Sequence, residues 1–143
     1  MIYIDTSSLL KLVIQEAESP SVIRAVAEES LVLVSSFTEL ECRVQMQALE
    51  RAGSVRRARM TKAKAAFASM LKFTPFRQVP LQGSVFETAL LQLARGEIHC
   101  RSLDRLHLAA MEELGVSRLM THDGRQAQAA KELGYEVVVP GRD

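Results

Sequence analysis

Four acidic residues stand at positions from which a folded chain would bring their carboxylates together: Asp5, Glu41, Asp104 and Asp123. Asp5 ends an apolar run that predicts a strand, and Asp123 follows a strand-like run at residues 118–121. Asp104 falls in the first turn of a predicted helix, where the helix dipole favours an anion, and Glu41 lies about a turn into another helix. Open α/β sheets bind ligands at the carboxyl ends of their strands. The spacing therefore predicts that the four side chains converge at that edge.

Clustered carboxylates repel one another unless a cation lies among them. Oxygen ligands without a coordinating cysteine favour Mg²⁺ or Mn²⁺ over zinc. Such ions polarise a phosphodiester and lower the pKa of bound water, which is the chemistry of many nucleases. The alternative for any one of these acids is structural, because a single Asp after a strand is usually a turn or cap residue.

The elements that must position these acids follow from hydrophobic periodicity. Strands are predicted at residues 2–5, 31–34, 77–81, 118–121 and 136–139. Helices are predicted from Ser7 or Ser8 to about residue 15, and then at 20–29, 36–52, from a cap at Ser54 to about residue 71, at 84–95, from a cap at Ser102 to about 114, and at 125–133. Strands that alternate with helices indicate a parallel sheet with right-handed crossovers. With no repeat or linker, the 143 residues predict a single domain over 1–143.

Several motifs occur in an order that resembles the PIN-domain proteins, especially VapC-type toxins of bacterial toxin–antitoxin pairs. The similarity opens at residues 2–9, where Asp5 is followed by Thr6, and continues at residues 35–44. It returns in an Asp-x-x-His-x-Ala-Ala segment at residues 104–110 and closes in a Thr-x-Asp strand exit at residues 121–123. Each motif is weak alone, but together they cover nearly the whole chain.

This resemblance implies a three-layer α/β/α PIN fold, Rossmann-like, with a parallel sheet of strand order 3-2-1-4-5. It implies an endoribonuclease with a Mg²⁺ or Mn²⁺ site, whose products carry a 5′-phosphate and a 3′-hydroxyl. The implied catalytic and metal-binding residues are Asp5, Glu41, Asp104 and Asp123, and Thr6 and Thr121 stand at positions that support them. The implied partners are RNA, a VapB-like antitoxin that covers the acidic site with a basic side chain, and a second copy of the chain.

Some positions leave alternatives open. Glu39 competes with Glu41 for the second acidic role, and Glu41 is preferred because Glu-Cys-Arg-Val matches the family. His107 is predicted to be a structural histidine within the helix packing. His122 stands where the family often has Asn, and Arg105 stands where it usually has a small residue. Arg105 is expected to contact substrate or to point to solvent.

The charge distribution predicts a second feature. Residues 51–86 contain eight Lys or Arg residues and no acid, although the net charge of the chain is only +1. The candidate RNA-binding residues in this block are Arg56, Arg57, Arg59, Lys62 and Lys64. The alternative is a solvated helical hairpin, since no aromatic residue interleaves these bases for stacking. A stripe of Met60, Phe67, Met70 and Leu71 is expected in the core, although VapC-type toxins usually pair through this region.

Composition and motifs exclude several other classes. No apolar run reaches the roughly 20 residues of a membrane span, and Asp5 stands where a signal peptide needs a basic start. A cytoplasmic protein without membrane association is therefore expected. Cys42 and Cys100 predict two small buried residues rather than a disulfide or zinc site. Glycine-rich nucleotide motifs and a serine-hydrolase motif are absent. The alternatives that remain are a non-catalytic PIN-like module that binds RNA or protein, and a nuclease that acts on DNA.

Overall fold

A computed structural model describes residues 1–141. Within that range it contains five strands and seven α-helices. The strands are β1 (Ile2–Ile4), β2 (Val32–Ser35), β3 (Phe76–Val79), β4 (Arg118–Met120) and β5 (Glu136–Val138). The helices are α1 (Thr6–Leu9), α2 (Ser19–Ala27), α3 (Ser36–Arg51), α4 (Arg57–Met70), α5 (Val85–Arg95), α6 (Ser102–Glu113) and α7 (Gly124–Glu132). The strands form one parallel sheet of order β3-β2-β1-β4-β5, which confirms the predicted fold.

Strand β1 occupies the centre of the sheet and is fully buried on both faces. Ile2 and Ile4 pack into a hydrophobic cluster with side chains of α1 to α4. Tyr3 points to the opposite face, into a second cluster with side chains of α5, α6 and α7. Because side chains alternate along a strand, these three residues join the two helical layers to the sheet.

The helix caps differ from those predicted. The N-cap of α1 is Asp5, not Ser7 or Ser8, because its carboxylate accepts a hydrogen bond from the Ser8 backbone N–H at 3.0 Å. Helix α1 is also short, and a 3₁₀ turn over Leu10–Leu12 continues it. Ser54 does not cap α4, whose N-cap is Arg56. Ser102 lies inside α6, whose N-cap is Arg101.

Strand β3 was predicted to run to residue 81, but it ends at Val79. The next residue is Pro80, which has no backbone N–H to donate to a neighbouring strand. None of the helices within residues 1–141 combines the length and apolar character needed to cross a bilayer.

The stripe on α4 belongs to the core, as expected. Met60 and Phe67 are fully buried, and Leu71 is nearly so. These three side chains are therefore core residues, and the pairing of two copies through the surrounding region stays a prediction. Exposed large apolar side chains lie instead on α5: Phe86, Leu90, Leu91 and Leu93. Cys42 and Cys100 are free and buried, as predicted.

Candidate active site

The four predicted acids line one cavity of about 470 Å³ at the carboxyl edge of the sheet. Each of them comes from a different part of the fold. Asp5 follows β1, Glu41 lies on α3, Asp104 lies on α6, and Asp123 is the N-cap of α7. The structure thus places together side chains that are far apart in the sequence.

Asp5 is the most buried of these acids, with only 4% of its surface exposed. Its carboxylate accepts hydrogen bonds from Ser7 Oγ at 2.8 and 2.9 Å and from Thr121 Oγ1 at 2.9 Å. Its backbone N–H donates to the Met120 carbonyl at 3.1 Å, which ties it to β4. Burial raises the pKa of Asp5, although these hydrogen bonds and the nearby His107 act against the rise. Asp5 is therefore a rigid, pre-positioned carboxyl group.

Glu41 is held by two donors on the same carboxylate oxygen. Thr6 Oγ1 lies 2.6 Å from Glu41 Oε2, and His107 Nε2 lies 2.7 Å from it. Burial alone would raise the pKa of Glu41, but the hydrogen bonds from His107 and Thr6 outweigh it and the pKa is lowered. Among the described residues no hydrogen bond joins Glu41 Oε1, so one oxygen of this carboxylate remains available for a ligand.

His107 connects Glu41 to a buried group of hydroxyls. Its Nδ1 lies 2.8 Å from the hydroxyl of Tyr3, which in turn contacts Ser35 Oγ at 2.8 Å and Thr38 Oγ1 at 3.1 Å. Burial disfavours the imidazolium, but Tyr3, Glu41 and Asp5 favour it, and the pKa of His107 is raised to about 10. A protonated His107 donates to Glu41 from Nε2 and to Tyr3 from Nδ1.

Asp104 and Asp123 share a basic partner, Arg101. Its Nη2 donates to Asp123 Oδ2 at 2.9 Å, and its Nε donates to Asp104 Oδ2 at 3.2 Å. Asp123 Oδ1 also accepts the backbone N–H groups of Arg125 and Gln126, both at 2.9 Å. Burial would raise the pKa of Asp123, but these N–H groups and Arg101 lower it.

The donor chemistry of this cavity fits a hard divalent cation, because its lining within residues 1–141 contains four carboxylates and no thiol. As the side chains stand, however, no three His, Cys, Asp or Glu residues in the described part of the chain lie close enough to hold a metal. Asp104 and Asp123 are instead paired with Arg101. Binding a metal at these four acids would therefore require side chains to move.

The chain is similar to known proteins along almost its whole length. The family model of the PIN domain matches residues 2–132. The chain belongs to the PIN-domain family. It is 31% identical over 97% of its length, and 97% of the relative, to Ribonuclease VapC46 of Mycobacterium tuberculosis.

Two solved structures share this PIN fold. The first is the VapC20 toxin of M. tuberculosis, described as cleaving the sarcin-ricin loop, with a TM-score of 0.72 and 23% identity. The alignment covers 98% of this chain and 100% of VapC20. The second is VapBC2 from Rickettsia felis bound to a promoter DNA fragment, with a TM-score of 0.67, 10% identity, and coverage of 96% and 98%. At these identities the similarity shows the fold.

The basic block of this PIN domain lies apart from the acidic cavity. Arg56, Arg59 and Lys62 line a separate cavity of about 510 Å³ near the start of α4, and none of them lines the acidic one. Lys64 forms an ion pair with Glu50 of α3, and Arg57 is exposed. The structure therefore places the candidate RNA-binding residues at a second location.

Arg105 and His122, the two positions expected to differ from the PIN family's usual residues, both make hydrogen bonds within the fold. Arg105 was expected to contact substrate or point to solvent, but it is only 3% exposed and donates to the Ile98 carbonyl at 3.2 Å. That expectation is wrong, because the side chain packs inward against the segment before α6. His122 contacts Ser8 Oγ at 2.9 Å and the Pro140 carbonyl at 3.0 Å.

Sequence reasoning missed the contacts of Ser7, Tyr3 and Arg101. Tyr3 gave one available signal, because a hydroxyl in a strand buried on both faces needs a polar partner. For Ser7 and Arg101 the sequence carries no such signal, because polar residues beside a predicted turn are common. Glu39 pairs with Arg43 at 2.7 Å and also contacts Gln78, and it does not line the acidic cavity.

Proposed function

We propose that this protein is a metal-dependent endoribonuclease and the toxin of a toxin–antitoxin pair. The observation that carries the proposal is the convergence of four carboxylates from four separate elements on one cavity. The similarity to Ribonuclease VapC46 over 97% of both chains supports RNA as the substrate. A module that only binds RNA or protein has no need for such a collection of acids.

In the proposed reaction, Asp5, Asp104 and Asp123 would hold Mg²⁺ or Mn²⁺. When bound, the cation would polarise the phosphodiester and favour deprotonation of the attacking water. Glu41 would orient that water with its free oxygen, while Thr6 and His107 fix the other oxygen. The lowered pKa of Glu41 keeps this carboxylate ionised at neutral pH. Thr121 would hold Asp5 in place through its 2.9 Å hydrogen bond.

The proposed partners follow from the surface chemistry. A cavity lined by four acids accepts a basic side chain, so an antitoxin that inserts one would block the site. A related assembly is the Klebsiella pneumoniae toxin–antitoxin complex, which shares the fold with a TM-score of 0.64. For the pairing of two copies we propose a second surface on α5, where Leu90 and Leu91 are 66% and 63% exposed.

The decisive experiment incubates the protein with labelled single-stranded RNA or DNA in Mn²⁺, in Mg²⁺ or in EDTA. We expect cleavage of RNA, which EDTA stops and which Asp5→Asn abolishes without changing the circular dichroism spectrum. Glu28→Gln is the control, because Glu28 is exposed at the end of α2 and does not line the cavity. Cleavage of DNA alone would favour the DNA nuclease. Binding of RNA without cleavage would favour the non-catalytic module.

A further inference from the structure

Arg101 is the only Lys or Arg that lines the acidic cavity, within the part of the chain that the structure describes. It joins two elements, because it precedes α6 and pairs both with Asp104 of that helix and with Asp123 at the start of α7. Its side chain is nevertheless 70% exposed. A single accessible guanidinium thus balances two of the four carboxylates.

The atoms that Arg101 contacts are the ones a metal would need. Arg101 binds Oδ2 of Asp104 and Oδ2 of Asp123, and both acids are proposed metal ligands. A guanidinium and a divalent cation compete for the same oxygens and repel each other. Exposed ion pairs contribute little to stability, so the more highly charged ion can displace Arg101 at small cost. The Asp104 carboxylate stays anchored meanwhile, because the Arg101 backbone N–H also donates to it at 3.2 Å.

A displaced Arg101 would remain at the mouth of the cavity. It also lines two neighbouring cavities, one beside α5 and one beside the start of α7. A nucleic-acid phosphate that approaches four carboxylates meets repulsion, which a cation at the entrance relieves. The planar guanidinium can bind two phosphate oxygens at once.

We propose that Arg101 is a substrate-binding residue that exchanges partners. It neutralises Asp104 and Asp123 until a divalent cation binds them, and it then binds a backbone phosphate of the RNA at the cavity entrance. This inference rests on the proposed function.

The first arm of the test titrates Mn²⁺ into the full-length protein by calorimetry, without RNA. Arg101→Gln removes the competing cation but keeps the backbone N–H, so its Mn²⁺ affinity should rise by about two- to tenfold. Arg95→Gln is the matched control, because Arg95 is an exposed arginine paired with Glu112 at 2.8 Å and does not line the cavity. Its affinity should equal that of the wild type. An unchanged affinity in Arg101→Gln would overturn the exchange.

The second arm measures RNA cleavage at saturating Mn²⁺. Arg101→Gln should raise KM by about tenfold with a much smaller change in kcat, and Arg101→Lys should recover part of the loss. If Arg101 only capped α6, Arg101→Gln would lower the melting temperature and would not raise KM more than it lowers kcat. An unchanged KM would overturn the phosphate contact. If the wild type binds no Mn²⁺ and cleaves no RNA, the proposed function fails first, and this inference fails with it.

Discussion

His107 Nε2 lies 2.7 Å from Glu41 Oε2, although the two residues are 66 positions apart in the sequence. The imidazole is fixed from its other side by the Tyr3 hydroxyl at 2.8 Å. One carboxylate of the acidic cavity is therefore oriented by a chain of hydrogen bonds that begins on the central strand. This arrangement links the packing of the core directly to the geometry of the site.

Tyr3→Phe tests this chain of hydrogen bonds. The substitution keeps the ring but leaves His107 Nδ1 without its partner, so we expect the free energy of unfolding to fall by about 1–3 kcal/mol. RNA cleavage should fall as well, because Glu41 loses its fixed orientation. Tyr135→Phe is the control, since the hydroxyl of the only other tyrosine makes no hydrogen bond in the described structure. Equal effects of the two substitutions would contradict the role of Tyr3.

The two neighbouring glutamates of α3 should differ in their importance. Glu41→Gln keeps the shape of the side chain but removes the charge, and we expect kcat to fall about a hundredfold or more. Glu39→Gln should change kcat little, because Glu39 pairs with Arg43 on the exposed surface. Steady-state kinetics on the two variants would decide the matter, and the reverse order would show that the site uses Glu39.

The raised pKa of His107 predicts a pH-dependent contribution to stability. A folded-state pKa of about 10, above the ordinary 6.5, means that the folded protein holds the proton more tightly than the unfolded chain does. The stabilisation is complete below pH 6.5 and is lost as the pH rises towards 10. Urea unfolding in EDTA should therefore show a wild-type advantage over His107→Gln that shrinks across this range. An advantage independent of pH would mean that His107 is neutral in the folded protein.

The basic block on α4 should contribute to RNA affinity through charge alone. Each phosphate contact to single-stranded RNA contributes about 0.7 to the slope of log affinity against log salt concentration. Reversal of Arg56 and Arg59 to Glu should weaken binding and flatten this slope by about 1.4. The control reverses Arg24 and Lys131, which are exposed on α2 and α7. Fluorescence anisotropy at several salt concentrations measures the slope for the wild type and for each variant. If the slope of the Arg56 and Arg59 variant equalled that of the wild type, the basic block would be a solvated surface that does not contact RNA.

The fold could be predicted because its signals are local. The apolar runs at β1 and β2 and the helical periodicity between strands identify the elements, and the PIN-domain resemblance supplied the order of the sheet. The ends of elements were harder to place. Asp5 is predicted from the sequence as an acid of the site, but its role as the N-cap of α1 depends on backbone geometry that periodicity does not describe.

The partners of the site residues could be predicted only in part. The sequence alone indicates that four acids lie near predicted strand ends or helix starts. In the structure all four line one cavity: Asp5, Glu41, Asp104 and Asp123. The contact of His107 with Glu41 and the inward packing of Arg105 arise from the docking of α6 against the rest of the fold. Such long-range contacts depend on rotamers and helix orientation, for which a single sequence carries no direct signal.

The central place of β1 has a consequence for synthesis of the protein. Asp5 is held by the Met120 carbonyl and by Thr121, and β1 pairs with β4 through Tyr3 and Ile4. Until β4 has left the ribosome, β1 lacks one of its two neighbours and Asp5 lacks these contacts. A nascent chain therefore completes the cavity only after β4 and Asp123 have been synthesised, and a prematurely terminated product that lacks β4 would lack the assembled acidic cavity.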